Sequence, residues 1–382
     1  MYTNNFRVVT IADIHYGKKD DIKLTNELKE IFFKEIMSME LNYEEPHIDL
    51  IVIAGDLFDR VIRMNEYSAK LVMDFVGDLC EFCHENSIQL RILKGTKTHD
   101  FNQLQVFHNL RMKYSNFEIV NNVGKEDLVV SSLKKPIKIL YLPEEYPDNF
   151  NKYYGDYLED TYDIIFGHGM IDFVAYTGDE SDSERFVRNA PVWKSETLMN
   201  ICNGPIIFGH IHDMKEYKDK IYYCGSYSRY SFADQEDKGF LVFDINMDDT
   251  SKYDGSFIEN TLAPTYHEID ISELNGMSSE VQLAYINKMK KQYDFIKIRA
   301  NKNNKENLDL IKNILQNEED IKIDIKNVSV DDEKVPEEYM FIIRKEYDPY
   351  ETVSRFAKLK HNKNIPTSYI KELFEKLRKE SA

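Results

Sequence analysis

The chain has few cysteines, one tryptophan and no long apolar run, and these absences narrow the kinds of protein it can be. None of its 382 residues lies in an apolar run near the roughly 20 residues that span a membrane, so we expect no membrane association. The first residues, MYTNN, lack the charged and apolar regions of a secretory signal. A hydrophobic fraction of 42% and a charged fraction of 30% are ordinary for a globular protein. We therefore predict a cytoplasmic protein that is long enough for more than one domain.

The four cysteines do not predict a zinc site. Cys80 and Cys83 form a C-x-x-C pair, but the apolar residues around them recur at helical spacing. A four-cysteine zinc site needs a second close pair, and Cys202 and Cys224 are not spaced as one. We expect the C-x-x-C pair to pack in the core, with all thiols reduced.

Positive charge is also scarce. Lys and Arg number 49 against 67 Asp and Glu, which makes the net charge −18. Non-specific DNA affinity comes largely from cationic side chains that neutralise phosphates, so this balance argues against a nucleic-acid partner. Bound metal cations, which composition does not count, and a basic partner subunit both weaken that objection. The tail from Glu351 differs, with eight Lys and Arg against four Asp and Glu.

Apolar runs in the first two thirds of the chain predict an α/β fold. Several runs, such as residues 51–54, are continuously apolar, as expected of strands covered on both faces. Helical patterns at 24–39 and 65–85 separate the early strands. Late strands have little helix between them, which favours a second sheet and hence a two-sheet sandwich flanked by helices. The predicted strands are 6–12, 50–54, 89–93, 137–142, 163–167, 205–209, 220–224 and 239–244.

The last third predicts a small second α/β domain and a helical tail. A strand at 293–300, a helix at 305–315 and a strand at 321–328 compose the small domain, and another strand-like run covers 339–344. The tail ends in a helix capped at Thr367 or Ser368. We predict domains at 1–255 and 256–335 and a partner-binding segment at 336–382. One side of the tail helix, which either docks a partner or packs on its own domain, carries Ile370, Leu373, Phe374 and Leu377.

Polar residues stand directly after five of the predicted strands. The carboxyl ends of strands in such sheets gather ligands, so we expect these side chains to converge. Glycines 55, 167 and 209 come just before three of them, where we expect a sharp turn to need a permissive backbone. The polar residues are Asp13 and His15, Asp56, His99 and Asp100, His168, and His210 and His212.

Six of these residues, two aspartates and four histidines, form a chemically sensible metal-ligand set. Mixed Asp and His ligands suit Mn²⁺, Fe²⁺ or Zn²⁺ better than Ca²⁺ or Mg²⁺, which prefer oxygen shells. A carboxylate can bridge two cations, and such a pair serves in-line displacement at phosphorus. A single D-x-H, or one His after a strand, is weak evidence. Five such elements in chain order predict a metal centre built from Asp13, His15, Asp56, His168, His210 and His212.

This motif series, D-x-H, G-D-x-x-D, a Gly-led H-D, G-H and G-H-x-H, resembles that of the calcineurin-like metallophosphoesterases. G-D-L-F-D at 55–59 and G-S-Y-S-R at 225–229, followed by K-G-F at 238–240, resemble the Mre11/SbcD branch, particularly the phage recombination endonuclease subunits. The resemblance covers residues 6–245. It implies a two-sheet metallophosphoesterase sandwich with a small cap domain.

The resemblance implies a role for each ligand. Asp13, His15 and His212 would hold the first of two divalent cations, with Mn²⁺ favoured and Mg²⁺, Fe²⁺ or Zn²⁺ as alternatives. His168 and His210 would hold the second, and Asp56 would bridge both. Asp59 would orient its loop through hydrogen bonds.

The third motif departs from the family pattern G-N-H-D. Here Gly95 and His99 are separated by Thr96-Lys97-Thr98, so two residues are inserted and no Asn is present. His99 aligns with the family His, which aids leaving-group departure or stabilises the phosphate, and is the predicted catalytic residue. Thr98 or His99 itself would replace the Asn ligand, and Lys97 would contact phosphate. Gln103 and His108, just downstream, are predicted to be ordinary helix residues.

The implied activity is that of a metal-dependent DNA nuclease of repair or recombination. It would be a homodimer that works with an SMC-like ATPase of the Rad50/SbcC type, docked by the tail helix. The acidic charge motivates an alternative, a phosphatase or phosphodiesterase that acts on small substrates. The missing Asn motivates another, a catalytically silent scaffold.

Overall fold

The computed structural model describes residues 5–18, 20–42, 46–131, 133–175, 191–274, 276–300, 321–325 and 365–380. The described residues up to Ile298 belong to one compact unit, and the helix at Thr367–Glu380 belongs to a second. Among the described residues, no helix combines the length and apolarity needed to cross a membrane. The predicted elements at 305–315 and 339–344 lie outside the described residues.

The strands that the structure describes are numbered here in chain order. The first ten are β1 Asn5–Ile11, β2 Ile48–Ala54, β3 Gln89–Leu93, β4 Phe117–Val120, β5 Gly124–Leu128, β6 Ile137–Leu142, β7 Ile164–His168, β8 Met170–Ile171, β9 Val192–Trp193 and β10 Ile206–Gly209. The others are β11 Lys215–Tyr217, β12 Ile221–Tyr223, β13 Gly239–Asn246, β14 Tyr253–Glu259, β15 Tyr266–Asp270, β16 Phe295–Ala300 and β17 Ile321–Ile325.

Two mixed six-stranded sheets make this an α/β fold. The first has the order β14-β13-β1-β2-β3-β4, and its strands from β1 to β4 run parallel. The second has the order β11-β12-β10-β7-β6-β5, and its strands β12, β10, β7 and β6 run parallel. Antiparallel strands form one edge of the first sheet and both edges of the second. Small sheets are formed by β8 and β9 and by β15, β16 and β17.

Helices connect these strands. They are α1 Asp21–Glu27, a π-helical segment Leu28–Phe33, α2 Lys34–Leu41, α3 Tyr67–Glu85, α4 His108–Lys113, α5 Phe150–Leu158, α6 Asp172–Ala175, α7 Ser195–Ile201, α8 Ser279–Gln292 and α9 Thr367–Glu380, with 3₁₀ turns at Gln103–Phe107 and Ile271–Leu274. The helix predicted at 24–39 is therefore present but is π-wound in its middle.

The continuous apolar runs of the central strands are explained by cover on both faces. In β2, Leu50 and Val52 pack between the two sheets, whereas Ile51 and Ile53 pack under the helices. A third cluster, which includes Trp193, lies on the outer side of the second sheet. The predicted strands match the observed ones to within a few residues at each end.

The structure also contains strands that the apolar pattern does not predict. β5 has the sequence GKEDL and lies at an edge of the second sheet, where charged residues are common because they discourage pairing with other chains. Glu126 on β5 pairs with Arg91 on β3 at 2.6 Å, and that arginine is 4% exposed. Pairing with β6 and this contact with the first sheet, rather than local hydrophobicity, position the strand.

The cysteines are all reduced and buried. Cys80 and Cys83 lie on the buried face of α3, as predicted, and burial raises the pKa of the Cys80 thiol to about 12. In α9, Ile370 is only 4% exposed while Leu373 is 45% exposed. The helix α9 begins at Thr367, and the side chains of Phe374 and Leu377 lie outside those that the structure describes.

Candidate metal centre

The six predicted ligands converge at the carboxyl ends of the parallel strands of both sheets. The first sheet contributes Asp13 and His15 after β1 and Asp56 after β2. The second contributes the last residue of β7, His168, and the pair after β10. All six are at most 1% exposed. Their donor atoms form two compact groups, Asp13 with His15 and His212, and Asp56 with His168 and His210, with the atoms of each group within 4.8 Å of one another.

The first group has the spacing of ligands that share one cation. The Nε2 atoms of His15 and His212 lie 3.0 Å apart. Two donors at right angles around a cation with bonds of 2.0–2.1 Å are roughly 3 Å apart. Both oxygens of Asp13 accept a hydrogen bond from the backbone N–H of His210, at 3.1 and 3.0 Å, which fixes that carboxylate in place.

Carboxylates behind the first group face the outer ring nitrogens of its histidines. Asp59 Oδ1 lies 3.4 Å from His15 Nδ1 and 3.2 Å from Lys18 Nζ. Asp234 Oδ1 lies 3.8 Å from His212 Nδ1, and it also receives the backbone N–H of Tyr230 at Oδ2. A carboxylate behind a ligating His orients the ring and raises its basicity. Asp59, which the sequence predicted to orient its loop, therefore lies beside the ring of a candidate ligand.

Lys238 also contacts the residues behind the first ligand group. Its side chain is fully buried, and Nζ donates to the backbone carbonyl of His212 at 2.7 Å. It also lies 3.3 Å from Asp213 Oδ1 and 3.9 Å from Asp234 Oδ1. Lys238 and Asp234 were not among the predicted site residues, although K-G-F at 238–240 was noted as part of a motif.

The second group is arranged around Asp56. Its Oδ2 lies 3.3 Å from His168 Nε2 and 3.0 Å from His99 Nδ1. His168 Nδ1 donates to the carbonyl of Ala54 at 2.8 Å, which directs Nε2 towards the site. A third potential ligand group, His15 with Asp56 and His99, places the two main groups side by side. The side chain of His99, the predicted catalytic residue, is 15% exposed, so it lies where the centre opens to solvent.

The altered third motif forms a tight loop against Asp56. Thr96 N–H donates to Asp56 Oδ1 at 2.5 Å, and its hydroxyl lies 3.3 Å from both His168 Nε2 and His210 Nδ1. Thr96 rather than Thr98 is thus the threonine beside the second group, because Thr98 is exposed. Lys97 is exposed as well.

Two further residues secure this loop. The carboxylate of Asp100 accepts backbone N–H groups from Asp56, Phe58 and Gly95 at 3.1, 3.0 and 2.7 Å. Gln103 donates to the carbonyl of His99 at 3.2 Å. These bonds hold the loop 95–100 against Asp56 and keep His99 at the site.

Glu144 is a site residue that the sequence interpretation missed. It is 2% exposed, and its Oε2 lies 3.5 Å from His210 Nδ1, 3.9 Å from His168 Nε2 and 3.2 Å from the Thr96 hydroxyl. The Tyr146 hydroxyl donates to Oε1. A signal for it existed, because Glu144 follows the parallel strand β6 just as the recognised ligands follow theirs.

Four of the candidate ligands occupy left-handed backbone conformations. The φ angles of Asp13, His15, Asp56 and His210 are 52°, 54°, 51° and 100°. Such conformations cost about 1–3 kcal/mol each and are concentrated at functional sites, where the surrounding structure holds them.

The glycines before the ligands serve two purposes. Gly55 has φ of 90°, so the predicted need for a permissive backbone is confirmed there. At Gly167 and Gly209 that reason is wrong, since neither has a positive φ. They provide space instead: a Cβ on Gly167 would lie 2.3 Å from the ring of Phe208, and one on Gly209 would lie 2.3 Å from the carbonyl oxygen of Ala54.

Burial governs the protonation of the centre. It lowers the pKa of His15 and of His210 to about 3, which keeps both rings neutral, and it raises the pKa of Asp13 to about 7. Burial opposes the charged forms of Asp56 and His168 as well. Their mutual attraction outweighs it, holding the pKa of Asp56 well below its usual range and that of His168 well above.

The neutral rings of His15 and His210 are in the form that binds metal, and a shared cation would relieve the close contact between His15 and His212. His168 differs, because its ion pair with Asp56 favours the protonated ring, and a cation held there would take the place of that proton. Asp13, Asp56 and Glu144 bring three buried carboxyl groups together, and buried charge is costly unless it is compensated. The donor set of imidazole and carboxylate suits Mn²⁺, Fe²⁺ or Zn²⁺.

Comparison with known proteins does not identify the family. No family model and no curated protein matches this chain. One solved crystal structure aligns with 67% of this chain and 100% of its own, at 11% identity and a TM-score of 0.36. A similarity this low identifies neither fold nor function.

Proposed function

We propose that the chain is a two-metal-dependent phosphodiesterase of the metallophosphoesterase fold that cleaves DNA. The observation that carries the proposal is the pair of buried Asp/His groups placed side by side, with Asp56 at their junction. Two separate ligand groups at the carboxyl ends of two facing sheets favour a two-cation centre over a single structural ion, which one closed group would hold.

In this proposal Asp13, His15 and His212 hold one cation, His168 and His210 hold the other, and Asp56 serves both. Bound divalent cations would polarise a phosphoryl oxygen and activate water for in-line displacement. Asp59 and Asp234 would keep the rings of the first group in ligating orientation, through the contacts at 3.4 and 3.8 Å.

His99 would act on the substrate. Its Nδ1 lies 3.0 Å from Asp56, which orients the ring, and its partial exposure puts it at the mouth of the centre. An imidazole there would stabilise charge on the phosphoryl group or donate a proton to the departing oxygen. Lys97, which is exposed on the same loop, would contact phosphate.

The proposed partners are those that the motif resemblance in the sequence implies. DNA is the proposed substrate, and an SMC-like ATPase and a second copy of the chain are the proposed protein partners. In α9, Leu373 is 45% exposed and would contribute to docking, whereas Ile370 is 4% exposed and serves packing within the chain.

A small-substrate phosphodiesterase is the second candidate, because a net charge of −18 repels polyanions. A silent scaffold is disfavoured. Such a protein gains nothing from keeping Asp13, Asp56 and Glu144 buried together at an energetic cost.

The test uses the full chain and end-labelled single- and double-stranded DNA in Mn²⁺, in Mg²⁺ and in chelator, with a generic phosphodiester in parallel. Asp56→Asn is the site variant, and Asp78→Asn on the exposed face of α3 is the matched control. Mn²⁺-dependent cutting that is lost only in Asp56→Asn supports the nuclease. Turnover of the generic diester without DNA cutting supports the small-substrate candidate, and no turnover of either refutes both.

A further inference from the structure

The second ligand group consists of one carboxylate and two imidazoles. The loop 95–100 has no asparagine, and the group it brings nearest to His168 and His210 is the hydroxyl of Thr96. That hydroxyl also reaches Glu144 Oε2 at 3.2 Å, and it can donate its only proton there. A neutral hydroxyl is a weaker partner for a divalent cation than a carboxylate, since the carboxylate carries a full charge.

Glu144 has the position of a ligand. Its Oε2 lies 3.5 Å from His210 Nδ1 and 3.9 Å from His168 Nε2. Donor atoms bound to one cation at 2.0–2.2 Å are separated by roughly 3 Å when adjacent and roughly 4.3 Å when opposite. Both distances fall within that interval. The other oxygen, Oε1, accepts a hydrogen bond from the hydroxyl of Tyr146, and Oε2 is therefore directed at the histidines.

The contacts of the next residue, Glu145, show that the orientation of Glu144 towards the histidines is specific. Glu145 is used for structure: its Oε2 accepts the backbone N–H of Val123 at 2.7 Å, and its Oε1 accepts the hydroxyl of Tyr153 at 2.7 Å. The two neighbouring glutamates therefore have different partners. Glu144 faces the histidines of the centre and is 2% exposed.

We propose that Glu144 is a ligand of the second cation and determines its preference for Mn²⁺ or Mg²⁺. Together with Asp56 it makes this ligand group more anionic and richer in oxygen, which favours hard cations over Zn²⁺. The inference rests on the proposed two-metal function and adds a residue to it.

The experiment measures metal binding rather than turnover. The metal-free full chain is titrated with Mn²⁺ by calorimetry, and electron paramagnetic resonance detects spin coupling between paired Mn²⁺ ions. Wild type is expected to bind two equivalents. Glu144→Gln should bind the second ion more than about 100-fold more weakly, beyond the roughly 10–100-fold cost of losing a carboxylate that only orients a ligand, and should lose the coupled signal and gain relative affinity for Zn²⁺. Glu145→Gln, the matched control, should bind as wild type does.

Each outcome is decisive. Two Mn²⁺ equivalents with wild-type affinity in Glu144→Gln would overturn the assignment of Glu144 while leaving the two-metal function intact. Absence of Mn²⁺ binding by wild type would overturn both. Thermal unfolding in chelator verifies that the variants fold. If Glu144→Gln does not fold, Glu144→Asp, which moves the carboxylate by one methylene, decides: unchanged second-site affinity refutes the role, and weakened affinity supports it.

Discussion

Replacing Gly55 by alanine is expected to damage the fold and the second ligand group together. Gly55 joins β2 to Asp56 with φ of 90°. A Cβ at this position would lie 2.2 Å from His168 Nδ1 and 2.9 Å from the Cα of Gly95. Neither contact is tolerable, so the His168 ring must move away or the backbone must shift.

Three unfavourable contributions to the free energy of folding add in Gly55→Ala. A left-handed conformation with a Cβ costs about 1–2 kcal/mol. Crowding of a packed site costs about 1–3 kcal/mol. Loss of the bond from His168 Nδ1 to the Ala54 carbonyl, 2.8 Å long, costs about 1 kcal/mol. The free energy of unfolding should therefore fall by about 3–6 kcal/mol, and the second Mn²⁺ should bind more weakly because a ligand is displaced.

Urea unfolding in Mn²⁺ and in chelator measures both effects. The matched control is Gly77→Ala, in the interior of α3, where a Cβ would have no heavy atom within 4 Å. Alanine in a helix interior is more stable than glycine by about 0.5–1 kcal/mol, so this variant should unfold at higher urea. Replacing glycine by alanine should thus lower the free energy of unfolding at position 55 and raise it at position 77. The reasoning is refuted if Gly55→Ala unfolds at the same urea midpoint as wild type and is stabilised by Mn²⁺ to the same extent.

Three more predictions follow from the contacts. Asp59→Asn should weaken Mn²⁺ binding at the first group 10–100-fold, because His15 loses its orienting carboxylate; calorimetry with unchanged affinity would contradict this. Chelation of a metal present at about 100 times its dissociation constant should lower the melting temperature by about 3–5 °C, and an unchanged melting curve would argue against a metal centre. The hydrogen bond to Glu40 raises the pKa of His47, so His47 stabilises the fold below its unfolded pKa of about 6.5 and loses this effect as pH rises through the folded value. His47→Gln should therefore be less stable than wild type at about pH 5.5 but not at about pH 8.5 in urea unfolding, and a difference independent of pH would disprove the linkage.

Much of the fold and the main ligands were predictable because their signals are local. A strand covered on both faces is mostly apolar, and β2 is buried along all seven of its residues, six of which are apolar. Asp13, Asp56 and His210 each follow such a strand directly, so the chain itself carries the order strand, turn, ligand. The parallel arrangement then brings those strand ends to one place.

The supporting residues were less predictable because their roles depend on contacts between distant segments. Asp234 lies 22 positions from His212 in the chain, yet their side chains are 3.8 Å apart. Glu144 follows β6, and its carboxylate lies 3.5 Å from His210 and 3.9 Å from His168, which are distant in the chain, whereas its sequence neighbour Glu145 is chemically identical. Nothing in the local pattern tells the two glutamates apart.

By itself the sequence determined the α/β class, the central strands and six side chains able to bind metal. Only the tertiary structure decided which threonine of the altered loop faces the histidines, that Glu144 faces them too, and that Gly167 and Gly209 are needed for space. The physical reason is that composition and periodicity report whether a residue is buried. The partner against which it is buried is set by packing between segments far apart in the chain.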